Sequence, residues 1–273
     1  MSGETAQSGP RLRSMIIALA AALLICSTWR TTAGEGTTNS RVLVFSKTLG
    51  FRHASITNGI AALRNLGAKH GFEVEATEDS AKFTPTNLAR FQAIIFLSVT
   101  GDVLNSEQET ALKDYVVGGG GFVAIHGAIF GPRACEDNWA WYGEMFCCRF
   151  TNHSAVVPGT VVVEDTTNPS TASLPARWLR TDEWYNFTGN PRACSHVLAT
   201  VDESTYRGGT VGQDHPISWC RRVGKGRMWY TGMGHTESSF SEPLLLQHLL
   251  GGIRAAAGWA TGEFTPNPNP HSQ

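Results

Sequence analysis

The chain has 273 residues, enough for one large domain with a substantial core or for two small ones. Charged residues make up only 16% and nearly balance, for a formal net charge of -1, with neither a basic run nor an acidic tail; nucleic acid and strongly charged partners are excluded on that ground. Glycine (29) and tryptophan (8) are abundant, which suits many tight turns and aromatic residues that fill a core or line a sugar-binding surface.

The N-terminus reads as a secretory signal. Arg11 and Arg13 precede the apolar run Met15–Cys26, which is short for a bilayer span, and Thr31-Thr32-Ala33 places cleavage after Ala33. Residues 1–33 are thus a signal peptide and 34–40 a polar linker, making the mature protein secreted or extracytoplasmic with no membrane span. Cys135, Cys147, Cys148, Cys194 and Cys220 remain, an odd set in which Cys135 with Cys147 or Cys148 is the preferred bridge because the loop is short.

One domain is expected over 41–260. Arg41–Ser46 is a first strand, followed by the loop Lys47–Ser55 and a helix from Ile56 to His70 with Ile60, Leu63 and Leu66 at helical spacing and Gly71 as its stop. Phe72–Thr77 alternates as a second strand, placed nearer a sheet edge. Thr84-Pro85 opens a short helix, and Ala93–Ser98 is the third strand. Ser106-Glu107-Gln108-Glu109 predicts a capping box for a helix reaching Val117. The glycine run 118–121 then leads into Phe122–His126, an uncharged segment suited to a strand buried on both faces. Strands alternating with helices predict a doubly wound parallel sheet.

Beyond residue 128 the pattern loosens. Residues 129–154 read as a loop rich in aromatics and cysteines, and Val156-Val157, Thr160–Val163 and Val197–Val201 as strands of an antiparallel extension. The stretch Leu179–Phe187 sits between irregular segments, Pro216–Arg222 and Arg227–Thr231 form a hairpin, and Pro243–Ala257 is a closing helix. The Pro/Asn tail, residues 261–273, is expected to be disordered.

In an open α/β sheet, ligands bind beyond the carboxyl ends of the strands. His126 ends the fourth strand, His53 follows the first and His235 follows the late hairpin, while His215 lies before that hairpin and Asp182, Glu183 and Glu237 occupy comparable connecting positions. Three imidazoles and a carboxylate drawn from this set would make either an acid/base centre or a divalent-metal site, although the spacing matches no known zinc motif. Glu183 and Tyr185 lie two apart and would share a strand face; Asp182 could equally be a turn cap.

Lys47-Thr48-Leu49-Gly50-Phe51-Arg52-His53, Gly121-Phe122-Val123-Ala124-Ile125-His126, Asp182-Glu183-Trp184-Tyr185, Pro216-Ile217-Ser218-Trp219 and Gly224–His235 together resemble the ThuA-like proteins, named for trehalose utilisation, from about Arg41 to Trp259. The resemblance implies a class I glutamine amidotransferase-like fold: a flavodoxin-like three-layer α/β sandwich with a mostly parallel central sheet and an antiparallel extension. Amidotransferases of that fold carry a cysteine nucleophile at a tight elbow, where this chain has Ala124-Ile125-His126-Gly127-Ala128, so glutaminase activity is not expected. It departs from the family around His153, which is followed by Ser154 where His-Pro is usual. The resemblance further implies a small-molecule carbohydrate as partner, as a keto sugar or disaccharide derivative. An enzyme on such a substrate would use Glu183 or His126 as base and His235 or Tyr185 as acid, with His53 beside them and Arg52, Trp184 and Glu237 as sugar contacts. The competing expectation is a non-catalytic carbohydrate-binding module whose surface is Trp139, Trp141, Trp184 and Tyr185.

Overall fold

The computed structural model describes residues 40–130 and 140–269. The signal-peptide reading, the linker to residue 39, Cys135 and Trp139 lie outside them. In chain order the first half runs β1 (Arg41–Phe45), α1 (Ile56–His70), β2 (Glu73–Thr77), α2 (Pro85–Leu88), β3 (Ala93–Leu97), α3 (Ser106–Gly118) and β4 (Gly121–Ile125). The second half runs α4 (Ala140–Phe146), β5 (Arg149–Val163), β6 (Arg177–Thr188), β7 (His196–Asp202), β8 (Pro216–Val223), β9 (Gly226–Thr231) and α5 (Pro243–Ala257).

Among the described residues, nine strands form one sheet in the order β2-β1-β3-β4-β9-β8-β7-β5-β6. The pairings from β2 to β9 are parallel and those from β9 to β6 antiparallel. The fold is therefore the flavodoxin-like sandwich, with β4 between β3 and β9 and β2 at the edge. Side chains of β1 show why helices cover both faces: Val42 and Val44 pack with Leu63, Leu66, Leu245 and Leu249, while Leu43 and Phe45 pack with Leu88, Leu112 and Phe146. Successive strand residues point to opposite faces, so a strand apolar throughout needs a helix layer on each side.

Several boundaries differ from the sequence reading. The α3 capping box belongs to Asn105, one residue earlier: its side chain accepts from the Gln108 N–H at 3.0 Å and its N–H donates to the Gln108 side chain at 2.9 Å. Residues 140–154 are not loop but α4 and the start of β5; that strand runs unbroken through the two short strands expected, despite Pro158 and register shifts at Phe150/Asn152 and His153/Val156. Leu179–Phe187, flanked by irregular segments in the sequence, lies within β6. These segments lack a clean alternation because pairing with each other, rather than a one-sided core, makes them strands.

The disulfide also differs. Cys147 bonds Cys194 across 47 residues, bringing the start of β5 to the turn before β7, and Cys148 is buried and free. Sequence separation favours short loops, but the fold decides which sulfurs meet. The tail is not uniformly loose: Asn267 accepts from Val197 N–H at 2.8 Å and donates to Val197 O at 2.9 Å, and Thr265 O lies 2.8 Å from His196 Nδ1. Thr265 and Asn267 thus lie beside the start of β7, where Asn267 satisfies both backbone groups of Val197.

Candidate functional site

The site forms where β1, β4 and β9 end. β4 closes on His126, whose φ of 52° is left-handed, a conformation that costs a non-glycine residue of order 1–3 kcal/mol and persists only where the surroundings enforce it. The turn His126–Phe130 follows at once, and a Cβ added at Gly127 would lie 2.9 Å from His53 Cε1, so the second position of the turn must be glycine. The strain aims the imidazole along the sheet edge, toward the segment that leaves β9.

His126 is fully buried. Its Nδ1 lies 2.7 Å from the carbonyl of Gly232, so that nitrogen carries the proton and Nε2 offers a lone pair. Nε2 faces the Tyr185 hydroxyl at 2.9 Å, His235 Nδ1 at 3.1 Å and Glu183 Oε2 at 3.6 Å. Burial pushes His126 down to about 4, so the ring is neutral at pH 7. His53 stands edge-on to His126 and His235, and burial, reinforced by those two rings, lowers it to about 3. His235 is only half-buried and behaves oppositely: its hydrogen bond to Glu183, 3.2 Å from Oε2, raises it. Tyr185 is raised far above its ordinary value by burial and then by the nearby carboxylates.

Glu183 lies between two imidazoles. Oε2 faces His235, and Oε1 lies 3.0 Å from His153 Nδ1, whose N–H donates to Ser154 O at 2.8 Å. His153 therefore keeps its proton on Nδ1, and Nε2 is the lone-pair nitrogen of a half-exposed side chain.

A second layer holds these groups. Asp182 is fully buried, accepts from Arg180, and also accepts from the backbone N–H groups of Glu183, Gly234 and His235 at 2.9, 2.8 and 3.0 Å. Burial alone would raise its carboxyl, but Arg180, His126 and these hydrogen bonds outweigh it and hold it low. Asp182 is thus no turn cap; it anchors the segment that presents His235. His215 sits behind the site, with Nε2 on Tyr185 O at 2.8 Å and Nδ1 on Glu203 at 2.8 Å, clamping β6 in place.

The structure brings His53, His126, Glu183 and His235 together: each presents one potential ligand atom, and all lie within 4.8 Å of one another. Tyr185 adjoins them. The proposed sugar contacts do not join this group. Trp184 alternates to the other face of β6, is fully buried, and donates to Val157 O at 3.1 Å, so it is core. Arg52 is exposed and pairs with Glu78 at 2.8 Å. Glu237 is exposed at the start of the turn Glu237–Ser241, two residues too far along to follow His235 inward. Sequence reasoning missed His153, Arg180 and the structural role of Asp182. The available signal was Arg180-x-Asp182 alternating on a strand face whose neighbours Trp178 and Trp184 are apolar, which marks a buried ion pair.

The fold and site together define a flavodoxin-like α/β sandwich in which a central strand closes on a left-handed histidine. Within that class the chain belongs to the ThuA family, trehalose utilisation, whose model matches residues 41–256. No curated protein matches it. Solved structures that share the fold include a ThuA-like protein of Bacteroides uniformis, at 23% identity and TM-score 0.68 over 79% of this chain and 90% of that one. A ThuA-like protein of Parabacteroides merdae gives 17% identity and TM-score 0.67 over 85% and 93%. A cytoplasmic protein of Salmonella typhimurium gives 12% identity and TM-score 0.56 over 79% and 98%.

Proposed function

We propose that this protein is an extracytoplasmic enzyme that processes oxidised sugars, as keto-glycosides or related disaccharide derivatives, by proton transfer. The observation that carries the reading is Glu183 held between His153 and His235 at the carboxyl edge of the sheet. A keto group acidifies the adjacent C–H. His153, its Nδ1–H held by Ser154 O with the Glu183 carboxylate 3.0 Å from the same nitrogen, is placed to take that proton at Nε2. His235, whose protonated form the hydrogen bond to Glu183 favours, faces the oxygen that gains charge, and the departing glycosidic oxygen leaves with the removed proton as the C–C double bond forms. His126 is too deeply buried to be the base; it and Tyr185 form the wall that fixes His235. The elbow histidine cannot form the thioester on which glutamine hydrolysis depends. The alternative of a non-catalytic sugar-binding module needs an exposed aromatic surface; of its four aromatics Trp184 and Tyr185 are buried, Trp141 is partly buried against the core, and Trp139 lies outside the described residues.

The test is turnover of a panel of keto-disaccharides by the wild type and by Glu183→Gln and His126→Ala, with thermal unfolding to show that the variants are folded. Glu183→Gln, beside both working imidazoles, and His126→Ala, at the wall that fixes His235, should each lose about 100-fold or more in kcat, the scale that a small misplacement of catalytic groups costs. Normal turnover by both folded variants, or no turnover of any keto-disaccharide by the wild type, would refute the reading. Secretion rests on the N-terminal pattern and is supported by the Cys147–Cys194 bond, since disulfides persist in oxidising compartments.

A further inference from the structure

We infer that His53, His126, His235 and Glu183 form a binding site for one divalent first-row transition cation, with Zn²⁺ as the type ligand. The first argument is geometric. Metal–ligand bonds of about 2.0–2.1 Å at tetrahedral or octahedral angles set neighbouring donor atoms about 2.9–3.4 Å apart. Here His126 Nε2 to His235 Nδ1 is 3.1 Å, His235 Nδ1 to Glu183 Oε2 is 3.2 Å and His126 Nε2 to Glu183 Oε2 is 3.6 Å. These three atoms form a nearly equilateral face, and a ring nitrogen of His53 completes the set within 4.8 Å.

The second argument is a shortage of protons. His126 spends its N–H on the Gly232 carbonyl, so its Nε2 arrives as a lone pair; the Glu183 carboxylate has only lone pairs; and His53 Nδ1 is buried with no hydrogen-bond partner. The Tyr185 hydroxyl and the His235 Nδ1 proton are the hydrogens that face the His126 Nε2 and Glu183 Oε2 lone pairs. A cation satisfies these donors together, where the protein's own hydrogens satisfy them in part. The Tyr185 hydroxyl, which meets the His126 lone pair at 2.9 Å without the ion, must then turn aside. A second-layer contact of the kind a metal site needs is present, since Gly232 O orients His126, and His153 Nδ1 lies 3.0 Å from Glu183 Oε1 on the side away from the cluster.

The donor types choose the ion. Three imidazole nitrogens and one carboxylate oxygen favour the borderline cations Zn²⁺, Co²⁺, Mn²⁺ or Fe²⁺ over Mg²⁺ and Ca²⁺, which prefer all-oxygen shells. A cation here would also replace the proton on His235 as the group facing the sugar's carbonyl oxygen, leaving His153 as the base. That last step rests on the proposed reaction, while the binding site itself does not.

The experiment titrates Zn²⁺ and Co²⁺ into the chelator-treated full-length protein by calorimetry and by the visible absorption of Co²⁺. One equivalent per chain, a nitrogen-ligand Co²⁺ band, a raised melting temperature with Zn²⁺ and no comparable effect of Mg²⁺ are expected. His235→Ala, at a half-exposed position, and the isosteric Glu183→Gln should each weaken Zn²⁺ binding at least tenfold while remaining folded. His196, paired with Asp165 on β7, serves as the control site, and His196→Gln should leave affinity unchanged. Absence of stoichiometric uptake overturns the site, and so does uptake that survives both site variants. Uptake without turnover of any keto-disaccharide leaves the metal site standing and sinks the reaction, whereas chelator-resistant turnover without uptake does the reverse.

Discussion

Replacing Asp182 with Asn tests the layer that holds the site. The carboxylate accepts from four donors, namely the Arg180 guanidinium and the N–H groups of Glu183, Gly234 and His235, and it is fully buried. An amide of the same shape keeps one acceptor oxygen and puts an NH₂ group where a second acceptor is required, so two donors face each other without water between them. It also strips Arg180 of its fully buried counter-charge, leaving Glu242 at 3.0 Å, whose side chain is 25% exposed. Removing one side of a buried ion pair costs about 3–5 kcal/mol. The remaining contact with Glu242 places the expected loss near the lower end, at about 3 kcal/mol. At about 2–4 °C per kcal/mol for a domain of this size, the melting temperature should fall by about 6–12 °C. Urea midpoints and thermal scans measure it. Arg180→Met on the Asp182→Asn background should recover part of the loss, because the stranded charge goes too, giving a coupling of at least about 1 kcal/mol in the double-mutant cycle. A single variant within about 1 kcal/mol of wild type, or strictly additive effects, would show that the pair does not anchor the His235 segment.

Stability should fall on acidification. His126 and His53 are lowered to about 4 and about 3, so their contribution is present above the ordinary value of 6.5 and is lost as pH falls through 6.5 toward those values. The His126 shift alone corresponds to roughly 3 kcal/mol, and the two rings are coupled and do not add. His235 is raised, so its share is complete below 6.5 and is lost as pH rises through its folded value. Urea midpoints from pH 8 to pH 4 should show a maximum near neutrality; a flat profile would contradict the buried neutral imidazoles. Alkylating the native protein should leave Cys148 and Cys220 unmodified and turnover intact, since both thiols are buried and raised by that burial. Peptide mapping after iodoacetamide reads this, and stoichiometric inactivation through either thiol would count against it. Mass spectrometry of the exported protein should find a start near Gly34, whereas an intact Met1 on a cytoplasmic protein would rule out the signal reading.

The sequence by itself determined the doubly wound half. Uncharged strands such as Ala93–Leu97 and Gly121–Ile125 can be buried only in the middle of a sheet covered on both faces, and Gly71, Pro85 and Pro243 mark where helices stop and start. Strand polarity then placed His53, His126 and His235 at the same edge, because parallel strands all end on one side. Only the tertiary structure decided the rest. Whether Trp184 or Glu183 faces the site depends on the register of β6 against β5, and a one-residue slip would exchange them. His153 reaches Glu183 across that irregular pairing, beyond any local signal, and Cys147 meets Cys194 rather than a nearer cysteine because the chain returns there. Distances within an element follow from its period, whereas distances between the carboxyl edge and the antiparallel extension exist only after the two halves pair.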